Sequence, residues 1–167
     1  MNSRSAAILL TGTMLLAVAM LSAGCGGSQV SSAAGGGHHG PAVVVRVRDV
    51  SRYGKVLMDS SGYALYIFQP DDQKHVTCTG LCAATWPPLK VKPGASIVAG
   101  PGVRQSLLGS DPDPAGGRVV TYGGWPLYAY DGDVSMGQVT GQGVDLNGGE
   151  WFLMRPSGKP LIFNPIA

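Results

Sequence analysis

Tyr66-Ile67-Phe68-Gln69-Pro70-Asp71 decides how this chain folds, because it comes back as Tyr128-Ala129-Tyr130-Asp131-Gly132-Asp133. Both copies read Tyr-x-aromatic-x-x-Asp. Both follow a leucine (Leu65, Leu127) and a glycine turn (Gly62, Gly124). A repeat at this scale means one supersecondary unit used twice, and such units bury their apolar faces against each other. The expectation is an all-β domain of two related hairpin-based halves, the first over residues 42–100 and the second over 101–167.

The flanks of each copy supply the hairpins. Residues 55–59 and 63–69 surround Ser60-Ser61-Gly62. A two-residue turn at Ser61-Gly62 predicts Met58 opposite Leu65 and Val56 opposite Ile67. Leu57, Asp59, Tyr66 and Phe68 then share the other face. The aliphatic face is the expected core. In the second half, residues 118–122 and 125–130 surround Gly123-Gly124, which pairs Tyr122 with Trp125 and Val120 with Leu127. Pro126 places that strand at an edge. Upstream, Val43, Val45 and Val47 alternate with Arg46 and Arg48, the pattern of a half-buried strand.

The connections are turn-rich. Residues 92–102 read as turns, and Asp111-Pro112-Asp113-Pro114 with Gly116-Gly117 reads as a loop in which the aspartates form turns. Gly141-Gln142-Gly143 follows no strand and opens no helix, so it is not a phosphate cradle. Residues 150–155 and 161–163 read as short strands, and Trp151 corresponds to Trp86.

Composition narrows the function. Charged residues make up 13% of the chain and the formal net charge is +2, too little for a nucleic-acid surface. Glycine (26) and proline (12) favour turns and short strands over long helices.

The N-terminal residues read as an export signal over 1–24. Arg4 precedes an apolar run of about 16 residues, short of the about 20 that span a bilayer. Leu21-Ser22-Ala23-Gly24-Cys25 resembles a bacterial lipobox, which implies cleavage before Cys25 and acylation of that residue. Residues 25–41 then form a Gly/Ser/Ala-rich tether with a reach of roughly 20–25 Å. His38 and His39 lie in it and are expected to be solvated linker residues.

With Cys25 acylated, Cys78 and Cys82 remain. An exported cysteine pair favours a disulfide. A redox-active dithiol and a metal site with His75 are the sharper alternatives, though a closed mononuclear site wants more ligands. His75 is the sole histidine beyond the tether, and no Gly-x-Ser-x-Gly elbow occurs. A hydrolase is therefore not expected, and no cofactor is implied.

The segments GYALYIFQPDD with CTGLCAATWPPL, and VVTYGGWPLYAYDGD with GQGVDLNGGEWFLMRPSGKPL, resemble the bacterial predicted lipoproteins that carry a repeated Tyr-x-(Phe/Trp/Tyr)-x-x-Asp motif. The signature falls on Tyr66, Phe68 and Asp71, then on Tyr128, Tyr130 and Asp133. The resemblance implies a lipid-anchored protein on the extracytoplasmic face of the cell membrane, with no established activity. The motif side chains are either core between the halves or an aromatic face with carboxylates, able to hold a glycan or an envelope protein.

Overall fold

The structure is a computed structural model that describes residues 41–73 and 75–162. The export signal, Cys25, His38, His39 and Phe163 lie outside the described residues. Strands β1 (Ala42–Val50), β2 (Gly54–Met58) and β3 (Tyr66–Phe68) open the chain. A short helix α1 (Leu81–Thr85) follows, then β4 (Lys90–Val91), β5 (Ser96–Ala99), β6 (Leu108–Pro112) and β7 (Arg118–Tyr122). β8 (Trp125–Pro126), β9 (Val144–Leu146) and β10 (Gly149–Leu153) complete it. The fold is mostly β, in three small sheets ordered β2-β1-β5, β3-β10-β9 and β4-β7-β6, with β8 also on β7. Among the described residues no helix is long and apolar enough to cross a membrane.

β1 carries the expected alternation. Val45 is fully buried, Val43 and Val47 are partly buried, and Arg46 and Arg48 are exposed. Its second neighbour is β5, in parallel register from Ala42 opposite Ser96 to Val45 opposite Ala99. Residues 92–102 are thus not all turn. Ser96–Ala99 is short, lies between Pro93-Gly94 and Gly100-Pro101-Gly102, and is held by a distant strand, so no local pattern announces it.

The first hairpin differs from expectation by one residue. Met58 pairs with Ala64, and the Leu65 amide donates to Leu57. The cause is Asp59. Its Oδ1 accepts from the amides of Ser61 and Tyr63, each at 2.9 Å, which closes a three-residue loop with Gly62 at φ +89°. A one-residue slip exchanges the faces of a strand relative to its partner. Val56 and Met58 therefore lie with Tyr66 and Phe68, while Leu57 lies with Leu65 and Ile67. Both faces are core: the aliphatic face is one cluster and the aromatic face another.

The second hairpin forms as read, with Tyr122 opposite Trp125 and the Leu127 amide donating to Val120. The Asp111-Pro112 pair is strand rather than loop, since β6 runs through Pro112 against Arg118. The turn begins at Asp113, whose Oδ1 accepts from the Ala115 amide at 2.7 Å and whose Oδ2 pairs with Lys90.

The two halves are not closed units. Leu57, Leu65 and Met154 form a ring of backbone hydrogen bonds, each amide donating to the next carbonyl. Val120, Leu127 and Leu89 form the same ring in the same order. Met154 comes from the end of the second half and completes the first hairpin. Leu89 comes from the end of the first half and completes the second. Each hairpin thus receives its third strand from the other half, as β10 pairs with β3 and β4 pairs with β7.

Candidate functional site: the repeated motif

The repeated motif sits where the exchanged strands cross. Tyr66 and Tyr128 pair as an antiparallel bridge and exchange both backbone hydrogen bonds, at 2.8 and 2.9 Å. Both side chains are fully buried. Each phenol reaches the aspartate of the opposite copy. Tyr66 donates to Asp133 Oδ2 at 2.7 Å, and Tyr128 donates to Asp71 Oδ2 at 2.5 Å.

The other oxygen of each aspartate has equivalent partners. Asp71 Oδ1 accepts from the Thr77 amide and hydroxyl, at 2.8 and 2.7 Å. Asp133 Oδ1 accepts from the Thr140 amide and hydroxyl, at 2.7 and 2.6 Å. Each carboxylate thus fastens its own return loop with one oxygen and the opposite half with the other. The two threonines escape the Tyr-x-aromatic-x-x-Asp pattern. Aligning the copies beyond the aspartates would bring them into register, apart from one inserted residue.

Electrostatics keeps the phenols as donors. Burial, followed by the Asp133 hydrogen bond and charge, pushes the Tyr66 hydroxyl far above the usual phenol range. Burial and the charge of Asp71 do the same to Tyr128. Burial also raises Asp71, against the hydrogen bonds from Tyr128 and Thr77 that favour its charged form.

The aromatic positions of the motif build a column. Phe68 stacks on Trp151 (4.4 Å between centroids), Trp151 on Trp86 (3.9 Å, planes 2° apart), and Trp86 on Tyr130 (4.0 Å). Tyr66 meets Trp86 edge-on at 5.5 Å, and Tyr128 meets Trp151 edge-on at 5.2 Å. Trp86 and Trp151 are equivalent, as expected from their places after each hairpin. Each such contact contributes about 0.5–1.5 kcal/mol beyond its burial. Gly141 lets the column close, because a Cβ there would lie 2.7 Å from the Trp86 ring.

Five of the six motif side chains are buried, and Tyr130 is partly exposed at the end of the column. The motif is a clasp between halves, and these residues offer no open aromatic face. Cys78 and Cys82 are joined in a disulfide with Cα atoms 5.3 Å apart. Cys78 is buried in the same apolar cluster as Tyr66 and Trp86, and Cys82 packs partly buried against that cluster. His75 is exposed and its amide donates to the Asp71 carbonyl. Among the described residues no three His, Cys, Asp or Glu side chains gather as a metal site.

The break in the pattern is local. Trp151 Nε1 donates to the Leu146 carbonyl at 3.1 Å, whereas Trp86 Nε1 is buried with no partner among the described residues. Leu146 lies in β9, and the corresponding stretch of the first half is the disulfide loop and α1.

Two copies of one family pattern match residues 48–90 and 111–154, a little over half of the chain. The chain belongs to the lipoprotein family described as a secreted repeat of unknown function. Both matched copies end at the exchanged strands, at Lys90 and Met154. No curated protein and no solved structure matches the chain.

Proposed function

We propose that this chain is an exported, lipid-anchored module of the cell envelope, binding or structural rather than catalytic. The observation that carries the reading is the fate of the motif. Its hydroxyls and carboxylates are the polar groups best suited to chemistry, and they bind each other across the interior. Membership in a secreted lipoprotein family and the Leu21–Cys25 lipobox support export and acylation. Acyl chains on Cys25 would hold the domain at the membrane through the tether.

The test is intact mass spectrometry of membrane-extracted protein, with and without reductant and alkylator. The reading expects acyl mass on a chain beginning at Cys25, and alkylation of Cys78 and Cys82 only after reduction. A soluble, unacylated chain would overturn the anchor. Loss of a defined ligand on Tyr66→Phe with the fold intact would instead make the motif a site.

A redox reading is favoured by one observation. The disulfide is partly exposed at Cys82 and belongs to the same apolar cluster as the aromatic column. Such a centre would take two electrons and two protons from a partner dithiol, leaving two thiols here and a disulfide on the partner. A measured potential well below that of dithiol exchange proteins would end this reading.

A further inference from the structure

A cleft of about 310 Å³ opens between the β1–β2 hairpin and the loop after Asp133. Arg46, Arg48, Met58, Ser60, Ser61 and Met136 line it. The loop is fixed to the hairpin by the Gly137 amide, which donates to the Gly62 carbonyl at 2.8 Å. The Met136 side chain packs over Gly62, and the Arg48 guanidinium lies over Gly137.

Four features of this cleft point to one occupant. Arg46 and Arg48 are two apart on one strand, so their side chains emerge on one face, about 7 Å apart. Both are exposed, and neither forms an ion pair among the described residues. The one carboxylate in the lining, Asp59, already holds two backbone amides on Oδ1. Beside this cationic cleft, Val134 and Met136 are 79% and 69% exposed.

Cationic groups flanked by protruding apolar side chains suit the boundary between headgroups and acyl chains. Guanidinium groups bind phosphate through paired hydrogen bonds, and the serine hydroxyls add donors. β1 begins at Ala42, directly after the tether, so both arginines lie within about 20 Å of its end.

We infer that this cleft is the membrane-resting face of the domain, with an anionic phospholipid phosphate between Arg46 and Arg48 and with Val134 and Met136 in the interface. The inference deepens the lipid-anchored reading and rests on it. Tethering raises the local concentration of headgroups, so a weak contact suffices to orient the domain. Each arginine is worth about fivefold in binding to an anionic surface, and the pair about 25-fold.

The experiment is hydrogen–deuterium exchange on the acylated full chain in phosphatidylcholine vesicles, with and without phosphatidylglycerol. Expected is slower exchange over residues 58–63 and 131–138 in the anionic vesicles. The protection should vanish in Arg46→Gln/Arg48→Gln and fall in Met136→Ser. These are surface changes, and unchanged urea midpoints would show the fold intact. Equal exchange in both vesicles, or full protection in the double variant, would overturn the inference. Equal protection by inorganic phosphate in detergent would reassign the cleft to soluble phosphate compounds and also overturn it. The mass of the same sample reports on Cys25. If the chain proves unacylated, the anchor reading alone fails, and flotation with anionic vesicles then tests the cleft directly.

Discussion

Replacing Tyr66 by phenylalanine removes one oxygen from the interior and tests the clasp at its centre. The ring stays, so packing against Trp86 is kept. What is lost is the donor to Asp133 Oδ2 and the acceptor for the Gly141 amide at 3.3 Å. Asp133 is 3% exposed, so water does not readily replace the phenol. A hydrogen bond to a charged group contributes about 1.5–3 kcal/mol, and the long amide contact adds less. The expected loss is about 2–3 kcal/mol, near 10 °C in melting temperature for a domain of this size. Urea denaturation with the disulfide intact would measure it in Tyr66→Phe, Asp133→Asn and the double variant. A coupling energy of at least about 1 kcal/mol is expected. Tyr128→Phe should cost a similar amount, since its contact with Asp71 is the same interaction in the other copy. Losses below about 0.5 kcal/mol in both tyrosine variants, or additive effects in the cycle, would refute the clasp.

Reducing the disulfide should destabilise the domain by about 2 kcal/mol, because the loop it closes is short. Paired denaturation curves with and without dithiothreitol would check this, and a much larger loss would show that the aromatic column depends on the bond. Gly141→Ala should cost about 1–3 kcal/mol, because the Trp86 ring it strikes is held between Trp151 and Tyr130. A near-neutral urea midpoint would mean the column is loose. Asp71 gives a pH dependence of definite sign. Its folded pKa lies above the unfolded value, so the folded state holds that proton more tightly. Its contribution is present at low pH and lost as pH rises through the folded pKa. Unfolding free energies of the parent minus those of Asp71→Asn should therefore fall with rising pH, and a rising difference would contradict the assignment.

The motif made the fold legible because it marks equivalent points in two hairpins. The Gly123-Gly124 turn fixed its register through local chemistry alone. The Ser60–Gly62 turn did not, because the deciding group is the side chain of Asp59, which caps two amides and adds a residue to the loop. That slip changed which residues share a face. It also hid the fact that a strand between two packed layers has no solvent side. β5 was illegible for a different reason. Its four residues gain their identity from parallel pairing to β1, a contact that local sequence does not encode. At the site, the aspartates were visible as motif positions, but a repeat within one chain does not say whether its partners lie in the same copy or the other. The exchange of third strands decides that, through the β3–β10 and β4–β7 pairings and the backbone rings around Leu57 and Val120, all of which join residues far apart in sequence.

The exchange also explains where the copies were free to diverge. Each half must leave its aspartate, bind its threonine, and return to place a tryptophan in the column. The second half makes the return with a buried side chain. Gln142 donates to the Leu161 carbonyl and accepts from the Leu153 amide, both at 2.7 Å, so one amide group pins the loop to β10 and the C-terminal segment. In the first half, Cys78 follows Thr77 where Gly141 follows Thr140, and a covalent bond to Cys82 replaces the glutamine. The two solutions have different consequences. The glutamine loop continues into β9, whose Leu146 carbonyl satisfies Trp151 Nε1. The disulfide winds the shorter loop into α1, projects Leu81 at 86% exposure, and leaves Trp86 Nε1 without that carbonyl. A buried donor without a partner costs about 1–3 kcal/mol, comparable to what so short a disulfide loop returns. Stability alone therefore gives little reason to prefer the cysteine solution. What it adds is a covalent closure of the first return loop, partly exposed at Cys82, where the second copy relies on the hydrogen bonds of Gln142.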